Sequence, residues 1–155
     1  MEEQIPSWLQ AMQAFSWPQM IQVLVAALLG GFIGLERERR GHEAGFRTNM
    51  LIAMGACLFT IVSIHGFPLE GSSARDTSRV AAGVVTGIGF LGAGVIIQSQ
   101  NRVKGITTAA TVWLVAAIGM TVGVEAYALA VFSSIITFIL SIFITKTSQN
   151  RYKLS

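Results

Sequence analysis

Gly34-Leu-Glu-Arg-Glu-Arg-Arg-Gly-His-Glu-Ala-Gly-Phe-Arg-Thr48 is the densest run of charge in this chain, and its neighbours decide the fold. Four arginines (Arg37, Arg39, Arg40, Arg47) and three glutamates (Glu36, Glu38, Glu43) crowd between two apolar runs, 20–35 and 49–64. Runs of that length and hydrophobicity suit helices that cross a bilayer. Charge is costly in hydrocarbon, so the cluster belongs at the water boundary of a membrane. It therefore marks one side of that membrane.

The totals agree. The chain has 155 residues, of which 52% are hydrophobic and 12% charged, well below the roughly 25% of soluble domains. Mean hydropathy is +0.60. The expected class is an all-α polytopic membrane protein whose segments outside the spans are too short to bury a core. The net charge of +3 comes from basic residues gathered in loops and is no sign of nucleic-acid binding. Cys57, the single cysteine, falls within a span and reads as a small core residue.

Outward from the charged run, five spans are expected at about 19–35, 48–65, 79–98, 106–124 and 126–145. Residues 1–18 place Ile5, Trp8, Leu9, Met12 and Phe15 on one helical face. This segment reads either as a helix lying in the interface, anchored by Trp8 and Trp17, or as a loosely ordered amphipathic tail. No positive leader precedes the first span, so a cleaved signal peptide is not expected. The Gly, Pro and Ser content of 66–78 marks a loop, and 99–105 reads as a polar loop. Residues 146–155 form a basic tail. The first span ends in Gly30, Gly31 and Gly34, and the third carries Gly83, Gly87, Gly89, Gly92 and Gly94. Small residues let helices approach closely in membranes, so the third span suggests a homo-oligomer, most simply a dimer.

Orientation follows from basic residues, which favour the cytoplasmic side. With the N-terminus outside and the C-terminus cytoplasmic, nine of the eleven Lys and Arg residues lie inside, leaving Arg75 and Arg79 outside.

The candidates for chemistry are few. Glu36 and Glu38, with Glu43, offer the carboxylate oxygens that Mg2+ and other hard cations prefer. The alternative is local pairing, with Glu36 reaching Arg40 at i+4 or Arg39 at i+3. Arg47, Thr48 and Asn49 open the second span, where Thr48 suits a cap and Arg47 a phosphate or lipid headgroup. Asp76 suits either a helix cap paired with Arg79 or an outward cation contact with Glu70 or Glu125. Glu125 lies in a tight turn between two apolar spans, and a carboxylate there is a candidate by position alone. Thr107 and Thr108, with Thr111, Asn49 and Gln98, suit either helix packing or a polar path from the inner face. Trp113 reads as a core aromatic. His42 and His65 fall at opposite faces, and no nucleophile–base pair or zinc spacing stands out, so no enzyme is expected.

Three stretches carry a resemblance: residues 34–48 above, Asp76-Thr-Ser-Arg-Val-Ala-Ala-Gly-Val-Val-Thr-Gly-Ile-Gly-Phe-Leu-Gly-Ala-Gly-Val95, and Lys104-Gly-Ile-Thr-Thr-Ala-Ala-Thr-Val-Trp113. In this order they resemble the MgtC/SapB family over roughly residues 20–125. The resemblance implies a bacterial inner-membrane protein of magnesium homeostasis or stress adaptation. It implies partners among membrane lipids and other inner-membrane proteins, and Mg2+ as the ion of interest. Some members are described as Mg2+ transporters, and the best-known branch regulates other membrane proteins and carries a soluble C-terminal domain. That domain is expected to be absent here. The expected role is a regulator or accessory; the alternatives are a cation transporter using Asp76 and Glu125 outside with Glu36 and Glu38 inside, or a structural membrane partner.

Overall fold

The structure, a computed structural model, describes residues 17–66, 76, 78–99 and 102–152, with the backbone alone for 97–99, 102 and 143–152. The amphipathic segment before Trp17, Glu70 and most of the 66–78 loop lie outside the described residues. Among the described residues five helices appear in chain order: α1 (Trp17–Arg39), α2 (Phe46–His65), α3 (Ser78–Val95), α4 (Ile106–Gly123) and α5 (Tyr127–Tyr152). The first four are long and apolar enough to cross a membrane, while the apolar part of α5 covers Tyr127–Ile142. The expected five-helix architecture is present.

Three boundaries differ from the sequence reading, one of them at α5, which runs on as helix to Tyr152 through most of the stretch read as a basic tail. α3 stops at Val95, and the stretch read as the end of a span and a polar loop is a short antiparallel hairpin. In it β1 (Ile97–Ser99) pairs with β2 (Arg102–Lys104), with Gln98 opposite Val103. The hairpin satisfies backbone groups that a loop would leave to solvent. α1 runs on through the glutamates and arginines to Arg39, so the connection to α2 is only six residues long, 40–45.

α4 is the centre of the bundle and touches each of the other four helices. Its buried positions include Val112, Val115, Ala116, Ile118 and Val122. Ala26 and Ile33 of α1, Ala53, Cys57 and Ile61 of α2, and Ala130 of α5 complete one apolar core around it. A second, smaller core joins Ala44, Ala56 and Ile88 to Val112 and Ala116. Gly119 makes the α2–α4 contact possible: a Cβ there would stand 2.2 Å from the Ala53 carbonyl oxygen. Gly34 does the same between α1 and α2, where a Cβ would meet the Gly45 oxygen at 2.7 Å. Phe32 and Phe138 stack with ring centroids 4.6 Å apart, fixing α5 against α1.

The glycines of α3 behave differently. Among the described residues Gly83, Gly87, Gly89 and Gly94 meet nothing within 4 Å, and only Ile88 and Gly92 of this helix are buried. The small face expected to pack closely is open within the single chain. The outer surface elsewhere is apolar, with Leu24, Leu28, Leu51, Phe59, Phe90 and Phe132 exposed. In water such a belt would drive aggregation; against lipid it needs no cover. Trp113 belongs to this surface, half exposed, and not to the core where the sequence put it.

Candidate functional site

Successive helices alternate in direction, so polar groups collect at two ends of the bundle. One end is built from the last turn of α1, the 40–45 connection, and the starts of α2 and α4 with the far part of α5. The charged run of residues 34–48 lies here, but two of its charges do not face water: Arg37 is 3% exposed and Glu36 8%. The helix places them a residue apart on the side facing α4 and α5. Burying a guanidinium is tolerable only when it is paired and hydrogen-bonded. Arg37 donates from Nη2 to Thr108 Oγ1 at 3.4 Å and from Nη1 to Ser141 Oγ at 3.5 Å. Ser141 in turn donates to Glu36 Oε2 at 2.6 Å, and Thr108 to Glu43 Oε2 at 3.4 Å. Glu36 Oε1 pairs with Arg40 one turn along. Two acids and two bases thus balance inside a network linking α1, the connection, α4 and α5. Arg37 Nε has no hydrogen-bond partner among the described residues.

His42 lies beside this network. Its own partial burial, then the neighbouring Arg37, hold its imidazole below the usual histidine range despite Glu36 and Glu43. Glu38 turns the other way and accepts the Phe46 N–H at 2.7 Å. It caps α2, whose N-cap residue Gly45 has no side chain to do so. Thr48, the cap expected from sequence, is exposed within the first turn, as is Arg47. Asn49 is wholly buried and gives both amide hydrogens to the Ala44 and Gly45 carbonyls, 2.8 Å each. It pins the connection beneath Gly34. Thr107 is exposed, while Thr108 one residue on belongs to the network. The Gln98 side chain lies outside the described residues.

The opposite end holds the remaining candidates. Asp76 is exposed and accepts from both the Ser78 N–H, at 3.1 Å, and the Ser78 hydroxyl. The hydroxyl bond, more than the backbone bond or nearby Arg79, holds its carboxyl below the usual range. It is the cap of α3, and Arg79 is exposed in the first turn. Glu125 occupies the α4–α5 turn with φ +64°, the one non-glycine residue in left-handed backbone among the described residues. Its carboxylate accepts from Gln22 Nε2 at 3.3 Å, and Gln22 is 1% exposed. Gln22 Oε1 has no hydrogen-bond partner among the described residues.

Between the ends the bundle is apolar, filled by the core around α4. The buried hydroxyls there turn back on their own helices: Thr60 to Ala56 O, Ser134 to Ala130 O, Thr137 to Ser133 O. Among the described residues no three His, Cys, Asp or Glu side chains are grouped to hold a metal ion. Sequence reasoning named Glu36, Glu43 and Thr108 but missed their connection. It also missed Arg37, Ser141 and Gln22, whose polar side chains lie on helix faces that the apolar pattern marks only weakly.

A bundle of apolar helices with polar groups held at both ends defines a multi-pass helical membrane protein. The sequence model of the MgtC family matches residues 23–150, and the chain belongs to that family. It is 46% identical over 123 residues to YhiD of Escherichia coli K12, whose name designates it, provisionally, a magnesium transporter. That alignment covers 77% of this chain and 57% of YhiD. Identity is 40% over 133 residues to protein MgtC of Salmonella typhimurium, covering 86% of this chain and 55% of MgtC. Protein SrpB of Synechococcus elongatus is 41% identical over 130 residues, 76% of this chain and 70% of SrpB. The chain thus spans a little over half the length of the first two relatives. No solved structure matches it.

Proposed function

We propose that this chain is a bacterial inner-membrane protein of magnesium homeostasis or stress adaptation that acts on other membrane proteins, without catalysing a reaction and without carrying the ion itself. The observation behind this reading is the apolar middle of the bundle. Carboxylates stand at both ends, yet the buried centre between them is Ala, Ile, Val and Cys, and its hydroxyls are spent on their own helices. A cation crossing that centre would lose its water and meet only a few scattered neutral hydroxyl oxygens in return, with no carboxylate among them. The magnesium link rests on kinship with YhiD and MgtC. The carrier reading draws on the name of YhiD and on Glu36 and Glu125 at opposite ends.

The charged network stiffens one end, and we place that end in the cytoplasm because Arg37, Arg39, Arg40, Arg47 and Lys104 gather there. The open face of α3 leaves room for a second copy of the chain or another membrane protein. Uptake of isotopically labelled Mg2+ by cells separates the two readings. A regulator changes uptake only in cells that retain their own Mg2+ transporters. Uptake restored in cells stripped of every other Mg2+ transporter would overturn it.

A further inference from the structure

The Gln22–Glu125 pair is costly to the chain in two independent ways. Glu125 sits at φ +64°, where an L side chain is strained by about 1 kcal/mol and a glycine would not be. Gln22 is buried to 1% exposure with Oε1 unpartnered among the described residues, in a surrounding where an unmet polar atom costs stability. Both costs fall on the same contact, at the turn between α4 and α5. The turn is a Schellman cap of α4, with the Glu125 N–H on Val122 O at 2.9 Å and the Ala126 N–H on Thr121 O at 3.0 Å; glycine is usual at its left-handed position, and the side chain carried there instead meets a buried amide.

We propose that Gln22 and Glu125 form a binding site for a hard divalent cation, with the amide oxygen and the carboxylate as its two protein ligands and water completing the shell. Such an ion binds through one or two carboxylates and keeps several waters, so a trio of acidic groups is not required. The spacing fits. Two oxygens at right angles about an ion with bonds of about 2.1 Å stand about 3 Å apart, and the Gln22 amide and Glu125 carboxylate approach to 3.3 Å. Without the ion, Nε2 faces the carboxylate as a donor. Half a turn about the last side-chain bond brings Oε1 to the same place, where two oxygens repel unless a cation lies between them. In the orientation present Oε1 has no partner among the described residues, so turning it toward Glu125 breaks no hydrogen bond of that oxygen. Glu125 is exposed, which gives the ion its entry.

The site deepens the reading above and rests on it for the identity of the ion; the binding itself does not depend on whether the chain regulates or carries. In the orientation set by the basic residues it samples the outer solution. With one charge and one neutral ligand it is a weak site, suited to concentrations of about a millimolar.

The test uses the purified full chain in detergent with Mn2+ as a spectroscopic stand-in, read as loss of the free-ion paramagnetic signal. One bound Mn2+ per chain is expected, displaced by Mg2+. Glu125→Gln and Gln22→Leu each weaken it by about tenfold or more, and Glu36→Gln at the other end leaves it intact. Glu125→Gly relieves the strain but leaves the Gln22 amide without its acceptor, two opposing effects of similar size, so it holds the ion-free thermal midpoint near that of the native chain while losing the ion, which separates lost binding from lost fold. No bound Mn2+ at millimolar concentration, or binding that survives either Glu125→Gln or Gln22→Leu, overturns the site. That result would leave the cellular uptake experiment free to support or reject regulation on its own.

Discussion

At the scale of single residues, Arg37 holds one end of the bundle together. It reaches Thr108 on α4 and Ser141 on α5 from α1, and Glu36 and Glu43 balance its charge. Truncating one partner of a buried charged network leaves the others unpaired, at about 3 kcal/mol or more. Arg37→Ala should therefore lower unfolding stability in detergent by that order, and Arg37→Lys should recover little, because an ammonium lacks the planar fork that spans two hydroxyls. His42 gives this end a pH dependence. Its folded-state affinity for a proton is depressed by burial and Arg37, so the unfolded chain binds the proton first. Stability is then present above about pH 6.5 and is lost as pH falls from there toward the lowered folded value. Thermal midpoints followed from pH 7.5 to pH 5.5, values chosen as about one unit either side of that range, should fall more steeply for the native chain than for His42→Gln.

At the scale of elements, the glycines divide into two kinds that no spacing rule separates. Gly119 lets α4 lie against Ala53 of α2, and a methyl group there meets a backbone oxygen that cannot swing aside. Gly87 of α3 meets nothing within 4 Å among the described residues. Gly119→Ala should cost about 3 kcal/mol or more, while Gly87→Ala should be neutral or stabilise by about 0.5 kcal/mol through helix propensity. Equal effects of the two substitutions on detergent unfolding would contradict the packing described. Both glycines sit in apolar runs, and what differs is the partner helix, which only tertiary structure supplies. The same cause limited the reading of sites. Five helices were legible from the lengths of the apolar runs, and the Glu36–Arg40 pair from its i+4 spacing. The reach of Arg37 to Ser141 crosses 104 residues, and that of Gln22 to Glu125 crosses 103. No local pattern announces such contacts. The hairpin at 97–104 was missed because three-residue strands leave almost no periodicity.

At the scale of the whole molecule, the chain is a bundle organised on one central helix, charged at one end, lightly polar at the other and apolar between. Kinship with YhiD and MgtC brings magnesium into view, and the apolar centre argues against the ion passing through this chain. On the function proposed above, the protein meets the ion at an end and passes its effect to a neighbour in the membrane. That proposal assigns the neighbour to α3, whose Gly83, Gly87, Gly89 and Gly94 meet nothing within 4 Å among the described residues. The most direct test is Mg2+ flux into liposomes containing the purified chain and an enclosed Mg2+-sensitive dye. The account predicts entry no faster than into empty vesicles; entry above that level that is abolished by Asp76→Ala or Glu36→Gln would contradict it.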